Sequence, residues 1–279
     1  MLAGCSEGPP ATKPNSPPVA AATAPGDLTY HDVLQKGEIV HQVGMADAGQ
    51  VWVGTHSGIY YSASNQLWAS LSEELEDDVT GWYVDPDNPR HIYVGGNGVV
   101  KRTEDGGETW NDASGGLPSP PDVRGLAGVR ENGQLILYAA IAGEGIYRRE
   151  GSGTWEKWLP LDQEVYAIAY HPAEQRLYVA TQYGLLYSQG ERWETEPVEA
   201  QQINSLTVDE ASGQLYLATE QGILQRRDGA WQVLDAAAPE RLVVIAKGWG
   251  DIKLVGIGES ALVYKLHGDT WTQWEGGQP

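Results

Sequence analysis

A ring of four-stranded antiparallel β-blades, an all-β propeller, is the fold class this sequence predicts, and three observations predict it. Tryptophan recurs at Trp68, Trp110, Trp155, Trp193, Trp231 and Trp271, at spacings of 42, 45, 38, 38 and 40 residues. Ahead of each of these Trp lies the same unit: a short apolar strand, a polar turn, and an apolar hairpin folded about a glycine. Glycine is plentiful at 35 residues, Phe is absent, and long helical patterns are few. Four short strands in about 40 residues, repeated along the chain, are the signature of propeller blades.

The first strand of each unit is expected at residues 39–45, 79–84, 123–129, 165–170, 203–208 and 242–246. The second and third strands form hairpins within 51–61, 92–100, 137–147, 177–187, 215–224 and 254–264, where runs of apolar residues flank a Gly turn. Turns such as Asp85-Pro86-Asp87-Asn88-Pro89 and Asp209-Glu210-Ala211-Ser212-Gly213 separate first from second strands. The Trp then opens a fourth. The strands are apolar almost throughout, as expected when each blade buries both faces against its neighbours. Six units predict six blades, with seven as the alternative: residues 28–34 read as an outer strand that helps close the ring, or as the remnant of a seventh blade. The six Trp are expected at equivalent, buried positions of the outer strands.

Two regions follow, 1–27 and the propeller at 28–279. The chain has one cysteine, Cys5, so no intramolecular disulfide is possible. Leu2-Ala3-Gly4-Cys5 matches the lipobox of bacterial lipoproteins, in which the Cys carries the lipid and becomes the mature N-terminus. The Pro-, Ala-, Ser- and Thr-rich residues 6–27 cannot bury apolar surface and read as an extended tether. No basic and apolar leader precedes Leu2, so the native start is expected upstream of Met1, or the start is clipped. Membrane attachment is expected through lipid on Cys5 alone, since no stretch approaches the ~18 apolar residues of a span. The expected location is the bacterial cell envelope, outside the cytoplasm.

Charge narrows the partners. Lys and Arg total 18 against 38 Asp and Glu, a formal charge of −20. That balance excludes nucleic acid, whose phosphates need a basic stripe, and argues against electrostatic docking to anionic lipid. High charge of one sign also repels like copies, and a monomer is expected.

Residues 102–110 form the clearest copy of the repeat. Asp105 bonds its own backbone two residues on, Gly106 and Gly107 supply positive φ, and Trp110 anchors the next strand. Thr103, Asp105, Gly107, Thr109 and Trp110 fit the pattern S/T-x-D-x-G-x-T-W. The other copies are degraded: Glu150 replaces the Asp before Trp155, Asp228-Gly229-Ala230 makes a shorter turn before Trp231, and the copies at Trp68, Trp193 and Trp271 have lost more. With the Asp85-Pro86-x-Asn88-Pro89 turn before Ile92-Tyr93-Val94-Gly95 and the Ala180-Thr181-x-x-Gly184-Leu185 hairpin, the chain from about residue 39 resembles the Asp-box (BNR-repeat) propellers. These include sialidases, sortilin-type receptors and lipoproteins resembling photosystem II assembly factors. In these families the boxes lie away from the working face.

A sialidase resemblance implies three arginines on the substrate carboxylate, a Tyr–Glu nucleophile pair and an Asp acid/base; Lys does not substitute for the bidentate Arg. Of 11 Arg, only Arg124 and Arg241 lie at the starts of innermost strands, and the Arg-Ile-Pro motif is absent. No catalytic residues are assigned. Gly256-Ile257-Gly258-Glu259-Ser260-Ala261 matches a dinucleotide fingerprint but lies between two strands with no helix to follow, and reads as a hairpin turn. Gly54-Thr55-His56-Ser57-Gly58 is not a nucleophile elbow. The six His show no metal-ligand spacing, and residues 73–78 form an acidic loop without the alternation of a Ca²⁺ site. No cofactor or metal is expected.

In propellers the loops entering innermost strands and the turns between second and third strands share one face around the channel mouth, the default binding site. Mapped onto this chain, that rim carries His41, Thr80, Arg124, Tyr166 and Asn204 at innermost-strand starts, and His56, Asn97, Glu144, Tyr183, Gln221 and Glu259 at the turns. The mixture of aromatic and polar groups suits a peptide or a sugar, and the Pro-rich loop 117–121 stands beside it. The expected function is a binding or assembly scaffold for a protein or peptide partner. A glycan-binding or glycoside-cleaving protein is the alternative, since two carboxylates suffice for glycoside hydrolysis.

Overall fold

The computed structural model describes residues 25–46, 50–63 and 66–276. Cys5 and residues 6–24 of the expected tether lie outside the described residues; Gly26 is buried and the Asp27 amide donates to Trp68 O (3.1 Å), so the last residues assigned to the tether are docked on blade 1. Six four-stranded antiparallel sheets, each built from four consecutive strands, make six blades, numbered here in chain order. Their innermost strands are Val40–Met45, Gly81–Val84, Val123–Glu131, Val165–His171, Ile203–Asp209 and Leu242–Lys247. The chain is thus a six-bladed propeller, and no seventh blade is present among the described residues.

Apolar residues do not form one central core. They sort into six seams, one at each junction between neighbouring blades. Tyr93, Val100, Val123 and Leu137 fill the seam between blades 2 and 3; Ile136, Tyr138, Ile168 and Val179 fill the next. This is the physical reason the strands carry apolar residues on both faces: each sheet is the floor of one seam and the roof of another. The glycines inside strands allow the close approach. A Cβ on Gly81 would stand 2.8 Å from the Leu126 backbone nitrogen, and one on Gly54 would stand 2.8 Å from the Val79 carbonyl oxygen.

The repeating tryptophans tie each blade to the one before it. Trp155 Nε1 donates to Ala113 O (2.8 Å), Trp193 Nε1 to Pro160 O (3.0 Å), Trp231 Nε1 to Glu196 Oε1 (3.2 Å) and Trp271 Nε1 to Ala236 O (3.0 Å). Each acceptor lies at the end of the preceding blade's outermost strand or within three residues after it. The ring closes with the same contact, Trp68 Nε1 donating to Gly276 O at 2.7 Å. Trp110 is the exception, since its indole nitrogen is buried and has no partner among the described residues. Three of the six, Trp68, Trp155 and Trp271, are buried, and the other three are half-buried.

The turn before Trp110 is held by its own side chains. Thr103 Oγ1 donates to Asp105 Oδ1 (2.6 Å) and accepts from the Gly107 amide (3.0 Å), while Asp105 accepts from the amide and hydroxyl of Thr109 (3.0 and 2.6 Å). Gly106 and Gly107 take φ of 83° and 103°, open to glycine at no steric cost. Bonds from Thr103 and Thr109 hold the Asp105 carboxyl far below the usual carboxylate range.

Residues 28–34 depart from the expectation of an outer strand or seventh-blade remnant. They enter a helix, Tyr30–Gly37. Of residues 28–34, Leu28 alone makes a β-bridge, to Trp68 on the outer edge of blade 1. The helix has a local cause: Thr29 accepts from the Asp32 amide (3.1 Å) and Asp32 accepts from the Thr29 amide (2.8 Å), a capping box. Tyr30, Val33 and Gly37 share one face and are buried. That face fills the seam between blades 6 and 1, where Tyr30 and Val33 meet Val53, Trp68, Val255 and Val263. The Tyr30 ring lies tilted against Trp68 with ring centroids 4.9 Å apart. The ring is therefore closed by a helix and the last residues of blade 6, with no strand exchanged between the ends among the described residues.

Candidate functional site at the channel mouth

Strand register puts the starts of innermost strands and the second-to-third turns at the same end of each blade. Val40 pairs with Thr55, Val165 with Thr181, Ile203 with Thr219 and Leu242 with Gly258. The eleven rim residues read from the sequence all lie at this end.

A local device presents the innermost ones. In five blades the innermost strand is irregular one residue after it begins, with one residue skipped in the pairing: His41, Arg124, Tyr166, Asn204 and Val243. A β-bulge of this kind leaves its residue unpaired and re-aims the side chain. Four of the five are residues the sequence placed on the rim. Blade 2 has no such irregularity. There Thr80 bonds across the seam, its hydroxyl donating to Val123 O (2.6 Å) and Gly95 O (3.1 Å), and so joins blades 2 and 3.

The remaining rim residues divide by partner. Arg124 pairs with Asp122 (2.9 Å), Glu144 with Lys157 (2.8 Å) and Glu259 with Arg241 (3.2 Å). Gln221 Nε2 donates to Glu199 O at 2.6 Å. Asn97 bridges Asp122 in the loop that enters blade 3. Asn204 Nδ2 is buried without a hydrogen-bond partner among the described residues. Tyr183, 78% exposed, and Tyr166, 41% exposed, are the large apolar side chains of the predicted rim left open to solvent. Exposed Ile39 lies beside them in type, at the entry to blade 1.

The structure brings one group together that no local spacing announces. His41 and His56 stack with ring centroids 4.5 Å apart. His41 Nε2 lies 3.2 Å from Asp78 Oδ1, and one ligand atom from each of the three residues lies within 4.8 Å of the others. Glu38 Oε2 stands 3.8 Å from His56 Nδ1. Burial lowers the pKa of His41, and His56 and Arg124 add to that, outweighing the opposing pull of Asp78. Asp78 comes from the acidic loop 73–78, two of whose other members are engaged elsewhere: Asp77 binds Lys101 (2.6 Å) and Glu74 accepts from the Trp110 amide (3.3 Å).

Fold and register together define the class: a six-bladed β-propeller whose mouth carries unlike side chains at matching positions of its blades. No family model matches the sequence. A stretch of 150 residues, 50% of this chain, is 29% identical to the photosystem II assembly lipoprotein Ycf48 of Synechococcus sp. (strain CC9902), and it spans 43% of that protein, less than half its length. Among solved structures, Ycf48 bound to a D1 peptide superposes with a TM-score of 0.57 at 15% identity, covering 84% of this chain and 81% of that one. A family GH74 xyloglucanase from Xanthomonas campestris superposes with a TM-score of 0.60 at 15% identity, over 90% of this chain and 46% of that one. At such identities the superpositions speak for the fold alone.

Proposed function

We propose that this protein is an Asp-box propeller that serves as a binding or assembly scaffold, taking a protein or peptide partner at the channel mouth, and that it is held outside the cytoplasm by lipid on Cys5. The observation that carries the reading is the 150-residue likeness to an assembly lipoprotein. The side-chain-locked turn at 103–110 supports the Asp-box assignment, and the LAGC tetrapeptide supports the anchor. No helix among the described residues is long and apolar enough to cross a membrane, so lipid is the attachment this reading requires. At the mouth, exposed Tyr166 and Tyr183 supply aromatic anchors of the kind that dominate binding energy. Arg124, Glu144, Gln221 and Glu259 supply a polar surround.

Affinity capture from native membranes with the full-length chain tests the scaffold. The wild type retains a partner that Tyr183→Ala and Arg124→Ala lose, with thermal stability unchanged. Capture unaffected by both substitutions, or turnover of a glycoside that Glu144→Gln abolishes, refutes the reading. Mass spectrometry of the native full-length protein is expected to find lipid on Cys5; an unmodified Cys5 refutes the anchor.

A further inference from the structure

We infer that His41, His56 and Asp78 form a binding site for a divalent transition-metal ion on the rim of the channel mouth. The three residues come from three different segments: the bulge of the innermost strand of blade 1, the second-to-third turn of the same blade, and the loop that crosses from blade 1 to blade 2. Two imidazoles and one carboxylate are a donor set suited to Zn²⁺, Co²⁺, Ni²⁺ or Cu²⁺, and a poor one for Mg²⁺ or Ca²⁺, which take oxygen ligands. Three protein ligands leave a coordination position for solvent or for a donor atom of a bound molecule, the pattern of open rather than structural sites.

The geometry fits. Ligand atoms of an ion held tetrahedrally at about 2.0–2.1 Å stand about 3.3 Å apart; His41 Nε2 and Asp78 Oδ1 stand 3.2 Å apart. Those two atoms are buried and neither has a hydrogen-bond partner among the described residues. Buried polar atoms are rarely left so, and an ion between them would satisfy both.

The backbone holds the three segments in place without an ion. The Val79 amide donates to Thr55 O (2.9 Å) and the His56 amide to Gly37 O (3.3 Å). The Asp78 carbonyl sits where a Cβ on Gly96 would be, 1.6 Å from it, so only glycine at 96 admits Asp78 in this position. Nearby cations are already compensated, Arg124 by Asp122 and Lys101 by Asp77. Glu38 lies where a carboxylate can orient His56. The net charge of −20 adds a field that gathers cations.

The test is titration of the chelator-stripped full-length chain with Co²⁺, read by its visible absorption, followed by displacement with Zn²⁺. One Co²⁺ per chain is expected, released by Zn²⁺ and unaffected by excess Mg²⁺. His56→Gln and Asp78→Asn are each expected to weaken binding by more than the about 10–100-fold that loss of an outer-shell partner costs, while Cys5→Ser leaves it unchanged. His56 is a half-exposed turn residue, so His56→Gln should fold; unchanged circular dichroism and unfolding midpoint confirm that. Undiminished binding in both His56→Gln and Asp78→Asn, loss of binding in Cys5→Ser, or no stoichiometric uptake by the wild type overturns the proposal.

Discussion

Replacing the bridging tryptophans with phenylalanine separates their two contributions, apolar filling and the bond to the preceding blade. Trp155 is 2% exposed, and its indole N–H donates to Ala113 O at 2.8 Å inside the seam between blades 2 and 3. In Trp155→Phe most of the apolar surface stays and the donor goes. The Ala113 carbonyl is then a buried acceptor without a donor, which costs about 1–3 kcal/mol. Trp155→Ala also opens a cavity and is expected to cost about 3–5 kcal/mol, as truncations of large aromatics do. The control lies within the same protein. Trp110 occupies the equivalent place in blade 2, yet its buried indole nitrogen has no partner among the described residues. Trp110→Phe therefore removes a desolvated donor that bonds nothing, and is expected to be neutral or slightly stabilising. The assay is urea unfolding followed by tryptophan fluorescence and far-UV circular dichroism, with m-values compared so that a changed denatured state is recognised. A chain of 279 residues shifts in Tm by about 2 °C per kcal/mol, so a thermal scan should lower Trp155→Phe by about 2–6 °C and leave Trp110→Phe in place. Equal stability of the two variants would refute the bridging role.

Two further predictions concern the ring seam and pH. Tyr30→Ala, at the clasp between blades 6 and 1, is expected to cost about 3–5 kcal/mol, whereas Tyr30→Phe is neutral or stabilising because the buried hydroxyl has no partner among the described residues; equilibrium unfolding of both variants checks this. Asp85 is fully buried and bonds Arg130, with His91 3.7 Å away. Burial pushes its carboxyl up, but the Arg130 bonds prevail and the folded-state pKa is depressed. A depressed acid contributes stability that is present above its unfolded pKa of about 4 and is lost as pH falls through the folded value. Unfolding free energy measured from neutral pH down to below 4 should therefore fall in the wild type, and by less in Asp85→Ala, which starts about 3–5 kcal/mol lower because it leaves Arg130 without its buried partner. An unchanged slope in the variant would remove Asp85 from the account.

Much of the fold was legible because its unit repeats. The recurrence of Trp and of Gly-centred hairpins counts the blades, and six innermost strands fall within two residues of where they were expected to begin. The equivalence of positions between blades was legible for the same reason: once one blade is mapped, His41, Arg124, Tyr166 and Asn204 occupy one structural position. Their shared bulge was not, because a skipped residue in a ladder leaves no composition behind. Residues 28–34 read as an outer strand or a seventh-blade remnant under the blade template, although the signals of the helix Tyr30–Gly37 are present, Thr29 and Asp32 at capping spacing and buried residues at 30, 33 and 37. The blade template outweighed the local pattern. The meeting of His41, His56 and Asp78, separated by 15 and 22 residues, was out of reach, since metal motifs are recognised by spacing along one element and these residues lie on three. The bonds of the tryptophans were equally hidden, because four of their five acceptors are backbone carbonyls, which any residue supplies.

Trp68 receives both ends of the folded chain. Leu28 pairs with its backbone and Gly276 accepts its indole N–H, while every blade is one uninterrupted segment. The first and last residues of the ring are thus neighbours, and where the polypeptide starts is an accident of connection rather than a demand of the architecture. A short linker from 276 to 26 would make the chain circular, and cutting it at another blade boundary would yield a permuted protein with the same six seams. Chains whose ends lie close together tolerate such rewiring; here the junction to protect is a single indole.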